Sequence, residues 1–398
     1  MTVDICPATE AEVAEAIMSA KGPLRLQGGG TRSFGRPVEG QVLSLAGLQG
    51  ITLHEPGALT LVVRPGTPMA EVDATLAAAN QRLAFEPMDH RGLLGTSGTP
   101  TIGGVAAGNI SGPRRVQSGA ARDHMLGLRF VDGNGTIVKN GGRVMKNVTG
   151  YDLVKLLAGS HGTLGALTEI SLKLQPMPET EATLSIRTAS ATSAIKAMAT
   201  ALGSPFDISG AATDVIDRAT GSGMTHIRIE GFSASVRYRT GRLQTLLSPN
   251  GAVTVDSETS AVLWRKIRDV AAFHTHPFVA RLSIRPSDLP VYLAALAGTP
   301  CSVSLDWGGG LVWIAVSDED LQSASGTDDA SVGAAPIITT LHALCAGHGG
   351  HATLIKAPLA TRRHLPSFQP EPGPVARLTA GLRARFDPRG ILNPGLMG

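Results

Sequence analysis

The stretch GTPTIGGVAAGNISGPRRVQSGAARD, residues 98–123, constrains the fold more than any other part of this sequence. It contains six glycines and four alanines, no aromatic residue, and few larger apolar side chains, such as Ile102, Val105 and Ile110. A hydrophobic core needs bulkier side chains, whereas a flexible linker does not carry branched apolar residues. Backbone that lacks side chains allows another group to approach closely, so the stretch predicts loops that lie against a ligand.

Length and composition limit the class of protein. The 398 residues exceed what one hydrophobic core usually supports, so we expect at least two domains. With 42% hydrophobic and 17% charged residues, the composition is that of a well-buried globular protein. The 48 glycines follow no fixed period, which argues against collagen-like and solenoid folds. A net charge of +3 with scattered basic residues gives no indication of nucleic-acid binding.

The cysteines and the hydropathy pattern bear on the compartment. Cys6, Cys301 and Cys345 form no CxxC pair, so the sequence predicts neither a disulfide framework nor an iron–sulfur site. The N-terminus begins acidic, and no segment reaches the ~18 apolar residues that a spanning helix requires. We therefore predict a cytoplasmic protein without an integral membrane segment, which reaches the inner face of the cell membrane, if at all, through partner proteins.

The pattern of strand-like and helical runs changes near residue 178, and the two patterns together predict an α+β protein. Residues 1–178 are dense in short strands and glycine turns, with subdomains at about 1–52 and 53–178. Residues 179–370 alternate longer strand-like and helical runs, which predicts a smaller α+β cap domain on an antiparallel sheet. Within this second domain, the polar and small-residue-rich stretch 317–336 is predicted to be a mobile insertion.

Local signals predict three features of the first domain. Thr9 and Glu12 form the capping box of a first helix. Thr67 is predicted to be the N-cap of a second helix, with Pro68 at its first position. The turn 132–135 is predicted to join two strands.

Three glycine turns could hold an anion. The first is Gln27–Thr31, the second is 101–104 followed by Ser111-Gly112, and the third is 162–165. Free backbone N–H groups in such turns bind anions, and glycine lets a phosphate approach them. The turns match neither a Walker P-loop, which needs Gly-Lys-Ser/Thr, nor a Rossmann fingerprint. One such turn is most often structural, whereas three in one region favour an extended, doubly charged ligand.

Several motifs occur in order along the chain: GGGT, TIGGVAAGNISG, ARDHMLGLRFVDGNGTIV, KNVTGYDLVKLLAGSHGTLGALTEISLKLQP and FDPRGILNP. Together they resemble the FAD-binding fold of the vanillyl-alcohol oxidase/p-cresol methylhydroxylase (PCMH) family. The resemblance implies a two-subdomain PCMH-type FAD-binding domain in residues 1–178, to which the C-terminal segment 371–398 returns. Within the family, the motifs LWRKIRD (263–269), DWGGGLVW (306–313) and GGHATL (349–354) are most similar to FAD-binding subunits of bacterial glycolate oxidases.

The resemblance implies FAD as the cofactor and assigns residues to it. These residues are Gly28, Gly29, Gly30 and Thr31 around the pyrophosphate; Gly98, Thr101, Gly103, Gly104, Ser111 and Gly112 along the flavin and its ribityl chain; and Arg122, Asp123, Gly162, Thr163, Gly165 and Leu167 at the remaining edges. Family members that bind FAD covalently often have a histidine just after the glycine turn. This chain has Thr31-Arg32 there, so we expect non-covalent FAD, and we expect His161 to be an ordinary loop residue.

The residues for substrate chemistry are less clear. Oxidation of a 2-hydroxy acid needs a cation for the carboxylate and a base for the hydroxyl proton. Candidates for these roles are Arg281, Arg285, His274 and His351. His274 and His276 would share one face of a strand and could bind a metal. Because a proline follows and no carboxylate is near, we predict surface histidines and no metal site.

The resemblance also implies a function and partners. We expect the FAD-binding subunit of a complex that oxidises glycolate, a small 2-hydroxy acid, to glyoxylate. Its implied partners are a larger FAD-containing catalytic subunit and an iron–sulfur subunit, which would pass electrons to a membrane quinone. The flavin of this chain would be a second catalytic centre or, given its weak catalytic residues, a relay. Two alternatives stay open: a self-contained FAD oxidase or dehydrogenase of another hydroxyl substrate, and a flavin-binding scaffold without turnover.

Overall fold

A computed structural model of the chain describes residues 4–144, 150–247, 253–325 and 330–397. The chain forms two compact units of nearly equal length. The first unit contains Met1–Ser111, Gly119–Met177 and Glu371–Gly398, and the second contains Gly112–Ser118 and Pro178–Pro370. The middle of the small-residue stretch therefore belongs to the second unit, while both of its ends belong to the first.

Short strands and helices make up the chain as far as Pro178. The strands are β1 (Leu24–Gln27), β2 (Gln41–Ser44), β3 (Ile51–Glu55), β4 (Thr60–Val63), β5 (Gln81–Arg82), β6 (Met125–Val131), β7 (Ile137–Gly141), β8 (Ala166–Lys173) and β9 (Gln175–Pro176). The helices are α1 (Glu10–Ser19), α2 (Met69–Ala78), α3 (Arg91–Leu94), α4 (Ile102–Ala107), α5 (Arg115–Ser118), α6 (Ala121–His124) and α7 (Leu153–Leu157).

The first unit is built on an antiparallel sheet in the order β3-β4-β8-β6-β7 and a separate parallel pair, β1-β2. The predicted turn between β6 and β7 is present, where Asp132 Oδ1 accepts hydrogen bonds from the backbone N–H groups of Asn134 and Thr136. Thr9 caps α1 as predicted, accepting from the N–H of Glu12. The first glycine turn begins where β1 ends, so the β1-β2 pair positions it.

The second unit has longer elements. Its strands are β10 (Thr180–Thr188), β11 (Ile208–Ile216), β12 (Gly223–Gly231), β13 (Val253–Val255), β14 (Phe278–Ser283), β15 (Ser302–Asp306), β16 (Leu311–Val316) and β17 (His351–Lys356). Its helices are α8 (Ala191–Leu202), α9 (Ser233–Leu247), α10 (Ser257–Arg268), α11 (Leu289–Ala295), α12 (Asp318–Ser325), α13 (Ala330–His348) and α14 (Leu359–His364). A last helix, α15 (Gly373–Phe386), belongs to the first unit.

The strands of the second unit form one antiparallel sheet in the order β13-β10-β12-β11-β15-β16-β14-β17. Successive side chains on a strand point to opposite faces, and the two faces differ in chemistry here. On β12, Ile227 and Ile229 join the hydrophobic core, whereas His226, Arg228 and Glu230 alternate with them on the other face. This sheet therefore has an apolar face and a face that carries buried polar groups.

Trp264 of α10 covers part of that polar face. It is 1% exposed, its ring lies 4.5 Å from the guanidinium carbon of Arg228, and its indole N–H donates to Thr183 Oγ1 at 2.8 Å. Thr183 also exchanges a hydrogen bond with Ser260 of the same helix. Arg228 is thus buried beneath an aromatic ring, and the polar side chains of Thr183 and Ser260 are hydrogen-bonded to each other.

The α+β prediction is confirmed, and two local predictions are wrong. Residues 318–325 and 330–336 of the predicted mobile insertion are helical, because apolar side chains such as Leu321 and Ala334 are buried in the core. Its residues 326–329 lie outside the described part. Thr67 is not an N-cap: its hydroxyl donates to Arg64 O and accepts from the N–H of Gly50, and α2 begins at Met69.

Replacing Trp264 by alanine should destabilise the second unit by about 3–5 kcal/mol, because it removes a large buried ring and exposes Arg228 to an unfilled cavity. Urea unfolding followed by far-UV circular dichroism measures the change. Tyr238→Ala is the matched control, since Tyr238 is 65% exposed on α9 and should change stability by no more than about 0.5 kcal/mol. Equal effects of the two substitutions would contradict this account of the polar face.

Candidate functional site

The first two glycine turns, separated by about seventy residues in the sequence, lie directly against each other. A Cβ atom on Gly29 would overlap the carbonyl oxygen of Thr99, and a Cβ atom on Gly98 would overlap that of Gly29. One side-chain bond joins the same two loops, from Thr96 Oγ1 to Thr31 O at 3.2 Å. The backbones can approach this closely only because both loops lack side chains at the contact.

This contact changes the explanation of the glycines. The sequence predicts that a ligand excludes their side chains, but at Gly29, Gly98 and Gly103 the excluding atoms belong to the protein. A Cβ atom on Gly103 would lie 2.7 Å from Pro65 O. At Gly104 the nearest atom is instead the end of a flexible side chain, Arg32 Nη1, at 2.7 Å from the Cβ position. Gly104 is thus the glycine of this group whose substitution leaves the loop backbones in place.

The first turn presents several unused hydrogen-bond donors. Within the described part of the chain, the backbone N–H groups of Gly29, Gly30 and Thr31 have no acceptor. Gly30 has a left-handed conformation, with φ of +71°. Successive free N–H groups around a left-handed residue form a concave site that attracts anions.

Arg32 follows directly and adds a full positive charge. Its Nε atom is buried without a hydrogen-bond partner, and the side chain forms no ion pair with any described residue. Burial lowers the pKa of Arg32 to about 10, although the nearby Asp89 carboxylate opposes this shift. The guanidinium therefore stays protonated at neutral pH, and the turn and Arg32 together offer an anion both charge and donors.

The third glycine turn is attached to the other two through backbone bonds and one buried amide. The N–H groups of Gly159 and His161 donate to Ala107 O at the end of α4, at 2.9 and 3.0 Å. Asn393 Oδ1 accepts from the N–H of Leu26 in β1, and Asn393 Nδ2 donates to His161 O, both at 2.8 Å. Sequence reasoning did not single out Asn393, although it lies in the quoted motif FDPRGILNP.

Side chains next to the three turns also meet. The Phe34 ring lies 5.8 Å from that of His90 and 5.4 Å from that of His161, in stacked and edge-on arrangements. His161 has φ of +51°, which agrees with its prediction as a loop residue. The three glycine-rich segments thus converge on one region of the first unit, and Gly162 and Thr163 lie within it.

Other residues predicted to bind FAD serve the local structure. Ser111 Oγ accepts from the N–H of Ala121, and the Asp123 carboxylate accepts from that of Ala120, both at 2.9 Å. Arg122 forms a long, half-exposed ion pair with Asp123. These residues stabilise the loop around α6, and any role in cofactor binding would come from their backbone or from the Arg122 side chain.

Gly165 and Leu167 pack against the sheet of the first unit. A Cβ atom on Gly165 would lie 2.5 Å from Phe130 Cδ2, and Leu167 is buried opposite Phe130 in the β6-β8 pair. Residues 146–149 of the motif that begins with KNVTG lie outside the described residues. The observed contacts of Gly165 and Leu167 are therefore those of core packing.

Gly112 belongs with the second unit. Its carbonyl accepts a hydrogen bond from Trp307 Nε1 at 3.0 Å, and the Arg115 guanidinium lies 4.4 Å from the Trp307 ring centroid. Arg114 forms a buried bidentate ion pair with Glu230, at 2.8 and 2.9 Å. These contacts hold the segment Gly112–Ser118 on the sheet of the second unit.

Arg281 stands apart among the substrate-site candidates. Its neighbours on β14, Ala280 and Leu282, belong to the hydrophobic core, so Arg281 lies on the opposite face of the sheet. It forms no hydrogen bond or ion pair with any described residue. Burial and the nearby positive charge of Arg115 lower the pKa of Arg281 to about 10, which leaves it charged at neutral pH.

The other three candidates are engaged or exposed. Arg285 donates to Asp288 Oδ2 at 2.8 Å and to His348 O at 3.1 Å. His274 Nε2 lies 3.0 Å from Asp269 O, and His351 is exposed at the start of β17. Arg281 is therefore the candidate whose charge is left for an external anion.

His274 and His276 do not share one face of a strand, because both residues precede β14. Burial, followed by the charge of Lys356, lowers the pKa of His276. Across the described ranges, no three His, Cys, Asp or Glu side chains converge to hold a metal. In the same ranges, every helix is too short or too polar to cross a bilayer.

Known proteins similar to this chain agree with the geometry of the first unit. The family model described as "FAD binding domain" matches residues 2–141. Glycolate oxidase subunit GlcE of Escherichia coli (strain K12) is 35% identical over 390 residues, which cover 97% of this chain and 95% of that protein. Glycolate oxidase subunit GlcD of Bacillus subtilis (strain 168) is 37% identical over 165 residues, 41% of this chain and 34% of that protein.

The solved structure of alkyldihydroxyacetonephosphate synthase matches the fold with a TM-score of 0.70 at 16% identity, over 98% of this chain and 76% of that chain. The predicted PCMH-type fold is confirmed. The free N–H groups after β1 and the unpaired guanidinium of Arg32 fit a cofactor that carries a diphosphate. Because the similarity to GlcE extends along nearly the whole chain, this protein belongs to the family of FAD-dependent oxidoreductases that contains the glycolate oxidase subunit GlcE, and FAD is its cofactor.

Proposed function

We propose that this protein is the FAD-binding subunit of a glycolate (2-hydroxy acid) oxidase or dehydrogenase complex that converts glycolate to glyoxylate. The observation that carries the proposal is the 35% identity to a glycolate oxidase subunit over 97% of this chain and 95% of that protein. A relative matched from end to end shares both units, rather than the cofactor-binding unit alone. Activity on a CH–OH group also agrees with relatives that are named D-lactate dehydrogenases.

In our proposal, different residues bind the cofactor and the substrate. Converting glycolate to glyoxylate removes a hydride from carbon and a proton from the hydroxyl group. Bound FAD supplies the hydride acceptor. In our proposal the first unit holds FAD non-covalently on the converging glycine turns at 28–31, 98–104 and 159–163. Arg281 of the second unit binds the substrate carboxylate, because it is a charged guanidinium without a partner among the described residues.

In our proposal the electrons leave through another protein. All three cysteines are unpaired, with Cys301 and Cys345 buried and Cys6 exposed on its own, so they do not form a cluster site. We propose a larger FAD-containing catalytic subunit and an iron–sulfur subunit as partners. Unpaired thiols also agree with a reducing compartment, and we place the protein in the cytoplasm, at the membrane only through those partners.

Turnover in the assembled complex tests the function. We expect the chain, co-expressed with the proposed partner subunits, to reduce a dye with glycolate as the substrate. Complexes that lack this chain should lose at least about 90% of the rate of dye reduction, because electron transfer or substrate oxidation is interrupted. A tenfold loss of rate corresponds to ~1.4 kcal/mol in activation free energy.

The isolated chain is the control, assayed with glycolate and with D-lactate. Full dye reduction by the isolated chain would instead support a self-contained oxidase or dehydrogenase. Substrate bleaching of flavin in the complex but never in this subunit would support a flavin-binding scaffold.

Acid precipitation tests the mode of FAD binding. We expect the flavin absorbance to appear in the supernatant at about one equivalent per chain, because Thr31-Arg32 provides no histidine for attachment after the first turn. A spectrum of both fractions measures this. Flavin retained in the pellet would contradict non-covalent binding and would direct attention to His161.

Substitution of Arg281 tests the carboxylate site in the assembled complex. Arg281→Met should raise KM for glycolate on the order of 10- to 100-fold, with a smaller change in kcat, because a charge-assisted contact to the carboxylate is lost. Arg281→Lys should recover part of the loss. Arg285→Met is the matched control, since Arg285 already pairs with Asp288, and its KM should stay close to that of the unmodified complex. Equal KM values for both methionine variants would rule out Arg281.

A further inference from the structure

Arg32 is a partly buried charge that forms no ion pair with any described residue. Its Nε atom is inaccessible and lacks a hydrogen-bond partner, and no ion pair is formed with any residue that the structure describes. The nearby carboxylate of Asp89 is bound to Arg91 at 2.8 Å. A buried guanidinium without a counter-ion is unfavourable, so such a residue normally has a partner.

The position of Arg32 indicates what that partner is. The side chain extends from the first glycine turn to the second, where Nη1 lies 2.7 Å from the Cβ position of Gly104. The free N–H groups of Gly29, Gly30 and Thr31 directly precede Arg32 in the chain. Four consecutive residues thus supply the charge and the donors, and the charged end of Arg32 lies beside the side-chain-free backbone of Gly104.

We propose that Arg32 binds the diphosphate of FAD, sharing its oxygens with the backbone N–H groups of Gly29–Thr31, and that non-covalent retention of FAD depends on this contact. A diphosphate carries two negative charges and presents several acceptors, which matches a planar fork of N–H donors next to a backbone anion site. The other anionic region of a bound flavin is the pyrimidine edge of its ring, which a single cation would also suit. The proposal concerns the cofactor and is independent of the substrate and of the partner subunits.

Arg32→Met and Arg32→Lys test the proposal in the full chain after FAD has been removed and titrated back. Arg32→Met should weaken FAD binding on the order of 10- to 100-fold, measured by quenching of flavin fluorescence. Its dissociation constant should also depend less steeply on salt, because one ionic contact is missing. Arg32→Lys should bind with intermediate affinity, since it keeps the charge and loses the fork.

Arg25→Met is the matched control, because Arg25 lies exposed on β1, on the strand that leads into the first turn. Its affinity for FAD and its salt dependence should equal those of the unmodified chain. Thermal unfolding of the FAD-free proteins separates binding from folding. Arg32→Met should be at least as stable as the unmodified chain, since it removes an unneutralised buried charge.

Three results would overturn the proposal. Unchanged affinity and salt dependence in Arg32→Met would exclude any contact between Arg32 and FAD. A large loss of stability in FAD-free Arg32→Met would assign Arg32 a structural role. A shift of the flavin reduction potential or of its absorbance maximum in Arg32→Met would place the guanidinium at the ring instead of the diphosphate. None of these results bears on glycolate turnover, which the complex assay measures separately.

Discussion

Direct contact between two stretches of bare backbone is the constraint on which the first unit depends. Gly29 and Gly98 let the loop after β1 and the loop before α4 touch through their main chains. This contact leaves the N–H groups of the first turn without internal acceptors and places Arg32 over Gly104. A side chain at the contact would separate the loops, and the proposed anion site would be lost with it.

The pairing of the arginines supports the two proposed anion sites. Arg114 is neutralised by Glu230, and Arg129 by Glu10, so these residues stabilise the protein itself. Among the described residues, Arg32 and Arg36 in the first unit and Arg281 in the second are partly buried and lack such partners. Because a partly buried cation is unfavourable unless something neutralises it, the missing partners of Arg32 and Arg281 support our proposals that Arg32 binds the cofactor and Arg281 the substrate.

Much of the fold could be predicted from local sequence, and the failures have physical causes. The cap of α1 and the turn at Asp132 depend on residues within a few positions of each other, so both were predictable. β11, with the sequence ISGAATDVI, has no clear alternation and is a strand because β12 and β15 pair with it. The segment around Leu321 is polar on average and becomes helical because a few apolar side chains reach the core.

By itself, the sequence determined the fold class, the family and the cofactor, because the ordered motifs and the turns depend on residues that are neighbours in the chain. Only the tertiary structure decided why the glycines are needed, that Asn393 joins β1 to the third turn, and that Gly112 belongs to the second unit. It also separated Arg281 from Arg285, which look alike in the sequence. Those properties depend on contacts between residues far apart in the chain, and no local pattern encodes which distant group will neutralise a charge.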